Sequence, residues 1–194
     1  MPTGNEYKHH HPNYKMLTIH RIKTEDAPYY QFMENLIVES FPPEEYRELA
    51  ELRKFTNENK LFHNNVVLDG EKAIGIITYW DFGSFCYVEH FATHPEARNH
   101  GYGSRVLDCL CHKLATPIVL EVEIPDNETA VRRIGFYERN GFKLWNCEYL
   151  QPPYRQGDSF LPMHVMAYGA LDMEKDFPNI CSRIYKEVYG IEKD

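Results

Sequence analysis

The sequence predicts a mixed α/β (α+β) domain in which about seven strands form one sheet flanked by helices. Three observations favour this fold class. Apolar residues make up 43% of the 194 residues, enough to bury a sizeable core. Seven short runs have the apolar pattern of strands, and five others repeat apolar residues at helical spacing. Because the order β, α, α, β, β, β, α, β, α, β, β, α does not alternate strictly, it indicates a mixed sheet and excludes a doubly wound parallel one.

Local signals justify each element in turn. Asp26 and Pro28 begin a helix, and the prolines after Phe41 end it. Asp69-Gly70 indicates a tight hairpin, and Gly141 ends a later helix as a left-handed cap. The second helix is expected to turn Tyr46, Leu49, Ala50 and Leu52 inward. In order, the predicted elements are strand 16–22, helix 26–40, helix 43–55, strands 61–69, 72–82 and 84–93, helix 106–114, strand 117–125, helix 127–140, strands 142–150 and 163–171, and a C-terminal helix over 177–188.

One folded domain is predicted over 16–170, with a flexible segment over 1–15 before it and a helical extension over 171–194 packed on it. No run approaches ~18 apolar residues and no apolar signal segment is visible, which predicts a cytoplasmic protein without a membrane partner. Five cysteines without a C-x-x-C pair indicate reduced thiols. The histidines at 9–11 have no second ligand cluster nearby, so no metal site is predicted.

The net charge of −8 argues against nucleic acid as a partner, because phosphate binding needs a basic face. An acidic surface is compatible with attracting cationic substrates. Exposed strands or the C-terminal helix offer surfaces for a homodimer, and the sequence does not decide whether one forms.

The segment 98–105, RNHGYGSR, lies where a predicted strand leads into a predicted helix. The first N–H groups of a helix are unpaired, and glycines let a ligand approach the backbone, so this segment is suited to phosphate oxygens. A tight turn without any ligand explains the glycines equally well. A P-loop would need a lysine immediately before Ser104, where this chain has Gly103. A dinucleotide-binding fingerprint would need a third glycine at the position of Val106. Neither motif therefore fits.

The pattern R/Q-x-x-G-x-G/A is met by 98–103, and the segment resembles the acetyl-coenzyme A loop of the GNAT N-acetyltransferase superfamily. The stretch 135–144, GFYERNGFKL, is similar to that family's xLYEKxGF element at the expected distance. The element order over 16–170 also resembles the GNAT fold, which implies a mostly antiparallel sheet. The resemblance implies an acyltransferase that moves acetyl from acetyl-CoA to a primary amine of a small molecule or peptide, directly and through a tetrahedral intermediate. The alternative is a non-catalytic CoA-binding sensor or interaction module.

The resemblance also implies where coenzyme A binds. Backbone N–H groups of the loop would hold the pyrophosphate, while Arg98 closes the loop or contacts the pantetheine arm. The arm would lie between two splayed strands. Family members often carry an asparagine and a small residue at the positions of Ala130 and Arg133 in this chain. Asn127, one helical turn earlier, either replaces the asparagine as a coenzyme A contact or caps the helix. The cofactor-binding residues predicted in this way are Phe91, Thr93, Arg98, Asn99, His100, Gly101, Tyr102, Gly103, Ser104 and Asn127.

Two catalytic residues are predicted. Tyr137, the tyrosine of the second motif, would protonate the leaving thiolate, the alternative being a core-facing aromatic. Glu89 would be the general base, since it lies two residues before Phe91 and is expected to share its face, with His90 pointing the opposite way. The alternatives for the base are another carboxylate and water. The N–H of Phe91 would stabilise the oxyanion. Glu121 and Glu123 either line the acceptor cleft or form a solvated edge.

The resemblance assigns the acceptor wall to segments 39–46 and 150–162. Glu45, Trp80 and Tyr154 are the predicted substrate-binding residues, with Glu44 and Arg155 as further candidates. The acidic side chains favour a cationic amine and Arg155 favours a carboxylate, so the sequence leaves the acceptor open.

Overall fold

The computed structural model describes residues 17–191 and has the element order that the sequence predicts. The segment 1–15 with its histidine run lies outside the described residues, so the predictions made for it stay predictions. The elements are β1 (Leu17–Arg21), α1 (Ala27–Ser40), α2 (Leu49–Glu58), β2 (Phe62–Asp69), β3 (Lys72–Asp81), β4 (Cys86–Thr93), α3 (Tyr102–Leu114), β5 (Ile118–Glu123), α4 (Glu128–Arg139), β6 (Lys143–Gln151), β7 (Leu161–Tyr168) and α5 (Met173–Tyr189).

The seven strands form one sheet in the order β1-β2-β3-β4-β5-β7-β6. Every neighbouring pair is antiparallel except β4 and β5, which are parallel because α3 crosses over between them. The predicted mixed, mostly antiparallel fold is therefore confirmed.

Helices cover both faces of the sheet. Side chains from α1, α2 and α5 form one apolar core, to which β3 contributes Trp80 and β4 contributes Tyr87. Side chains from α3 and α4 form the second core on the other face, which includes the next residue of β4, Val88. This division follows from the alternation of side chains along each strand.

The second predicted helix differs from the structure. A short 3-10 turn covers Pro43–Glu45, the backbone is extended at Tyr46, and α2 begins only at Leu49. The interruption lets the side chain of Arg47 enter the core, where it binds Glu89. Because α2 starts later, Ala50 is exposed, and the expectation that it faces inward is wrong.

A β-bulge at Glu89 changes which side chains of β4 face which core. In the register with β3, His90 pairs with Thr78 and Val88 pairs with Tyr79, so Glu89 is an extra residue without a partner. An extra residue lets two consecutive side chains point to the same side. Glu89 and His90 both point toward α1 and α2, and Phe91 points toward α4. The expectation that Glu89 shares a face with Phe91, opposite His90, is therefore wrong.

The two parallel strands separate just beyond this bulge. Residues Cys86–Val88 pair with Ile118–Leu120, and the register stops there, although β4 continues to Thr93 and β5 to Glu123. Their outer edges stay paired with β3 and β7. The result is a wedge-shaped gap in the middle of the sheet, lined by main-chain groups that need partners.

Replacement of Ile184 by Ala tests how much α5 stabilises the fold. Ile184 is fully buried in the core that α1 and α2 share, so Ile184→Ala should lower the free energy of unfolding by about 2–5 kcal/mol. Val131→Ala, at a position on α4 that is 54% exposed, should change it by less than about 0.5 kcal/mol. Urea unfolding measures both, and similar losses would show that α5 does not stabilise this core.

Candidate active site

The loop between β4 and α3 presents consecutive amides on one side. Asn99 and Gly101 have φ angles of +63° and +73°, in the left-handed region that turns successive N–H groups into a concave nest. The first bond in the α3 ladder runs from the Arg105 N–H to the Gly101 carbonyl, 3.4 Å apart. The amides of residues 102–104 therefore precede the ladder and are free to bind an anion at the positive end of the helix dipole.

Three side chains of the loop hold it in this shape. Arg98 donates from Nε to the Thr93 carbonyl at 3.2 Å, and His100 donates from Nδ1 to the Arg98 carbonyl at 2.6 Å. The Tyr102 hydroxyl donates to Asp69 at the end of β2, at 2.5 Å. Arg98 thus closes the loop onto the end of β4.

A groove of about 450 Å³ runs along this loop to the gap between β4 and β5. Eight of the ten predicted cofactor-binding residues line it. His100 is exposed and does not line it, and the Asn127 side chain caps α4 by accepting the Ala130 N–H at 2.9 Å. The lining consists of Phe91, Thr93, Ala97, Arg98, Asn99, Gly101, Tyr102, Gly103, Ser104, Arg133, Phe136 and Tyr137.

A second, narrower cavity of about 60 Å³ opens on the other side of the gap. It shares Phe91, Arg133 and Tyr137 with the groove, so the two cavities meet at these three residues. Its lining is Phe41, Glu45, Val88, Glu89, His90, Phe91, Leu120, Glu121, Glu123, Arg133, Tyr137, Gln151, Tyr154 and Met163. We call it the acidic cavity, because four carboxylates face it.

Two of the three predicted substrate-binding residues, Glu45 and Tyr154, line the acidic cavity. Trp80 does not line it, because its side chain is fully buried beneath the cavity floor. Its indole Nε1 donates to a Glu89 oxygen at 3.0 Å. Trp80 therefore fixes a residue of the cavity without reaching the cavity itself.

The carboxylate of Glu89 is committed to a buried ion pair. Arg47 binds one oxygen and the Trp80 indole binds the other. The guanidinium also stacks on aromatic rings, with its carbon 4.5 Å from the Phe55 centroid and 5.2 Å from that of Tyr154. Burial alone would raise the pKa of Glu89, but the Arg47 charge and both hydrogen bonds outweigh burial and hold this pKa below its ordinary value.

Glu121 is surrounded by hydrogen-bond donors. Tyr149, Gln151 and Tyr189 all donate to its carboxylate, Gln151 at 2.5 Å and Tyr189 at 3.1 Å. Burial raises the pKa of Glu121, and these hydrogen bonds oppose the rise only in part. Glu123, two residues along β5, pairs with Arg133 of α4 at 2.5 Å.

Glu45 faces the acidic cavity from the 3-10 turn between α1 and α2. Burial, followed by the nearby charge of Glu123, raises the pKa of its carboxyl to about 7. His90 fixes the turn by donating from Nε2 to the Glu45 main-chain carbonyl at 2.8 Å. Since that nitrogen must carry the proton, Nδ1 accepts from the Thr78 hydroxyl at 3.2 Å. Burial lowers the pKa of His90, so the ring is neutral.

Tyr137 stands where the two cavities meet. Its ring packs against Phe136 and Phe142, with centroids 5.2 Å and 5.5 Å away, and only 8% of the residue is exposed. Burial raises the pKa of its hydroxyl to about 12, so the hydroxyl stays protonated at neutral pH. The site therefore places a neutral hydroxyl between an anion-binding groove and an acidic cavity.

A family model for the acetyltransferase (GNAT) family matches residues 19–142, which is more than half of the chain. The chain belongs to the GNAT acetyltransferase family. It is similar to a GNAT-family protein from Bacteroides thetaiotaomicron, provisionally described as an acetyltransferase, with 55% sequence identity. The TM-score is 0.88, and the match covers 90% of this chain and 99% of that one.

More distant GNAT relatives agree with this family. YjbC of Bacillus subtilis (strain 168), provisionally named an acetyltransferase, is 31% identical over 108 residues, which are 54% of this chain and 53% of that protein. The chain thus spans about half the length of the curated relative it matches. A Vibrio cholerae spermidine N-acetyltransferase, solved with CoA and spermine, is 18% identical with a TM-score of 0.54, covering 78% of this chain and 94% of that one. At that identity the likeness shows the GNAT fold alone.

The sequence reasoning missed Arg47 at this candidate site, and it weighed Arg133 only as a contact of coenzyme A phosphates or a solvated residue. Arg133 lines both cavities, and its position one helical turn before Tyr137 is a signal that points to it. Arg47 has no comparable signal, because its partner is 42 residues away. Gln151, at the end of β6, donates to Glu121, and the sequence placed it in the acceptor wall only as part of segment 150–162.

Two further findings concern the whole described region. Between residues 17 and 191, no cluster of three or more histidine, cysteine, aspartate or glutamate side chains is arranged to hold a metal ion. None of the helices in that range has the length and apolar character that a membrane span requires.

Replacement of Arg47 by Met tests the buried pair. The side chains of Arg47 and Glu89 are 3% and 0% exposed, so Arg47→Met leaves an unpaired buried carboxylate and should lower the free energy of unfolding by about 3–5 kcal/mol. Lys72→Met breaks the ion pair with Glu96, in which both side chains are about 70% exposed, and should cost at most about 1 kcal/mol. Equal effects in denaturant titrations would contradict the assigned role of Arg47.

Proposed function

We propose that the protein is an acetyl-CoA-dependent N-acetyltransferase that moves an acetyl group to a primary amine by direct transfer. The observation that carries this proposal is the junction of two cavities inside the gap between β4 and β5. One cavity has the chemistry of a phosphate site, and the other has the chemistry of a cation site. Tyr137 borders both, and a transferred group must pass that point.

The residues of the groove fit coenzyme A. Free amides at the head of α3 suit its pyrophosphate, and the unpaired edges of β4 and β5 suit the amides of its pantetheine arm. Gly103 packs closely on Phe136, since an added Cβ would lie 3.1 Å from the ring and would force the ring to shift. When bound, acetyl-CoA supplies the acetyl group as an activated thioester.

The acidic cavity supports a cationic acceptor. Glu45, Glu121 and Glu123 face it, and Arg133 offsets only part of their charge. Arg155, the residue that favoured a carboxylate acceptor, is paired with Glu48, with 3.0 Å between Nε and Oε1. The small volume admits the aminomethyl end of a molecule, so the remainder of a small molecule or peptide would lie outside.

We propose that Tyr137 assists departure of the thiolate. A hydroxyl with a pKa near 12 donates a hydrogen bond to a sulfur anion, but it does not surrender its proton outright to a thiolate whose conjugate acid has a pKa of about 8.5. Tyr137 therefore stabilises the leaving group and relays a proton that the amine nitrogen releases. Glu89, held by Arg47, is a weak base in this arrangement and positions the bulge that shapes the gap.

Coenzyme binding is tested by thermal unfolding. Acetyl-CoA should raise the melting temperature, whereas NAD and ATP should not. Gly101→Val places a β-branched residue at φ +73°, which distorts the nest and should weaken acetyl-CoA binding by at least about tenfold.

Gly83→Val is the matched control for this test. Gly83 also has a positive φ, +81°, with no atom within 4 Å of an added Cβ, but it lies in the β3–β4 turn at the far end of β4 from the loop. It should keep the acetyl-CoA shift. Equal shifts from all three ligands, or equal losses in both variants, would argue against the groove as a coenzyme site.

Turnover is tested with a panel of primary amines and a colour reaction for the free thiol of coenzyme A. Thiol release that depends on an amine supports the enzyme, and acetyl-CoA binding without thiol release in the presence of any amine would indicate a non-catalytic coenzyme A module.

Tyr137→Phe keeps the ring packing and should lower kcat about 100-fold or more, with acetyl-CoA binding retained. Tyr168→Phe removes a hydroxyl from the same aromatic cluster, outside both cavities, and should leave kcat unchanged.

A further inference from the structure

Five side chains that line the acidic cavity are able, by residue type, to take a proton from the acceptor. They are Glu45, Glu89, His90, Glu121 and Glu123. A proton has to leave the acceptor if the proposed function holds, because an alkyl amine with a pKa near 10.4 arrives as an ammonium and has no electron pair to react with. The hydrogen bonds and ion pairs of these five side chains distinguish the one that is free to accept a proton.

Four of the five already take part in hydrogen bonds or ion pairs through their side chains. Glu89 is bound by Arg47 and Trp80. Glu121 accepts from Tyr149, Gln151 and Tyr189, and Glu123 is paired with Arg133. Both ring nitrogens of His90 are also used, one by the Thr78 hydroxyl and the other by the Glu45 main-chain carbonyl.

Glu45 differs from the other four. Within residues 17–191, no hydrogen bond or ion pair is formed by its carboxylate, and its oxygens remain accessible from the cavity. Its main chain is nevertheless fixed, because His90 binds its carbonyl and the Phe41 ring packs on His90 with centroids 4.8 Å apart. A free carboxylate on an anchored turn is the arrangement that a proton acceptor needs.

We propose that Glu45 is the general base that deprotonates the acceptor ammonium, an inference that rests on the proposed function. One proton moves from the ammonium nitrogen to a Glu45 oxygen. The electron pair freed on nitrogen forms the new C–N bond, and the C–S bond breaks with its electrons left on sulfur. The second nitrogen proton goes to that sulfur by way of Tyr137, and Glu45 returns its proton to solvent.

The electrostatic surroundings of Glu45 agree with this role. Charged and titratable neighbours come from every element around it: Glu44 on its own turn, Glu89 and His90 on β4, Glu121 and Glu123 on β5, and Arg133 on α4. His90 is neutral, and Tyr137 and Tyr154 stay protonated at neutral pH. The excess of negative charge and the partial burial raise the pKa of Glu45 to about 7, which suits a base working near neutral pH.

The pH profile of kcat/KM tests the proposal. In the wild-type protein kcat/KM should rise between pH 6 and 8, with an inflection near pH 7 that belongs to Glu45. Glu45→Gln should lower kcat/KM about 100-fold or more at pH 8 and remove that inflection. Glu45→Asp should restore part of the rate and keep an inflection. Glu58→Gln, at the exposed C-terminal end of α2 and outside both cavities, should behave like the wild-type protein.

A second measurement does not depend on activity. The unfolded chain ionises Glu45 near pH 4.5, and the folded chain does so near pH 7, so the folded state loses stability as the pH rises through this window. Glutamine cannot ionise. The melting temperature of Glu45→Gln, relative to the wild-type protein, should therefore increase between pH 5 and pH 8, and that of Glu58→Gln should not.

The outcomes separate the two proposals. If the wild-type protein turns over and Glu45→Gln keeps the wild-type kcat/KM and its inflection near pH 7, Glu45 is not the general base. The proposed acetyltransferase activity would still stand. A melting temperature difference that does not grow with pH would also contradict it. Wild-type protein without turnover on any amine would remove the proposed function, and the base with it.

Discussion

The early end of pairing between β4 and β5 is the constraint on which the site depends. A parallel pair normally continues as long as both strands do, and here it stops while each strand keeps its other partner. The bulge at Glu89 lies at that point and bends β4 away from β5. Both cavities open into the resulting gap, so the coenzyme groove and the acidic cavity have one structural origin.

The four carboxylates around the acidic cavity show how hydrogen-bond and ion-pair partners determine the protonation behaviour of a glutamate side chain. Glu89 is neutralised by Arg47, Glu123 is paired with Arg133, and Glu121 is enclosed by hydroxyl and amide donors. Of these four, Glu45 is the one whose carboxylate forms no hydrogen bond or ion pair within residues 17–191. Identical side chains therefore differ in charge and in readiness to accept a proton, because burial and hydrogen bonding act on them differently.

The sequence predicted those features of the fold and of the candidate site that depend on residues close together in the chain. It did not predict the features that depend on contacts between distant residues. The loop at 98–104 and the bounds of most elements rest on local chemistry, such as glycines, caps and apolar spacing, and the structure agrees with them. No residue type near Glu89 indicates a bulge in the sequence. The rule that side chains alternate along a strand therefore assigned Glu89 and His90 to the wrong faces of the sheet. Arg47 was also out of reach, since a helix seemed to continue through it and its partner lies on another strand.

The last turn of α5 contacts two residues that bear on the acidic cavity, Arg47 and Glu121. The Val188 carbonyl lies 3.5 Å from a guanidinium nitrogen of Arg47, and the Tyr189 hydroxyl binds Glu121. Fraying of this turn would remove one contact of Arg47, the partner of Glu89, and one hydrogen bond to Glu121, although neither Val188 nor Tyr189 borders that cavity. The end of this helix therefore helps to set the proton affinity of Glu89 and Glu121 from outside the cavity that they face.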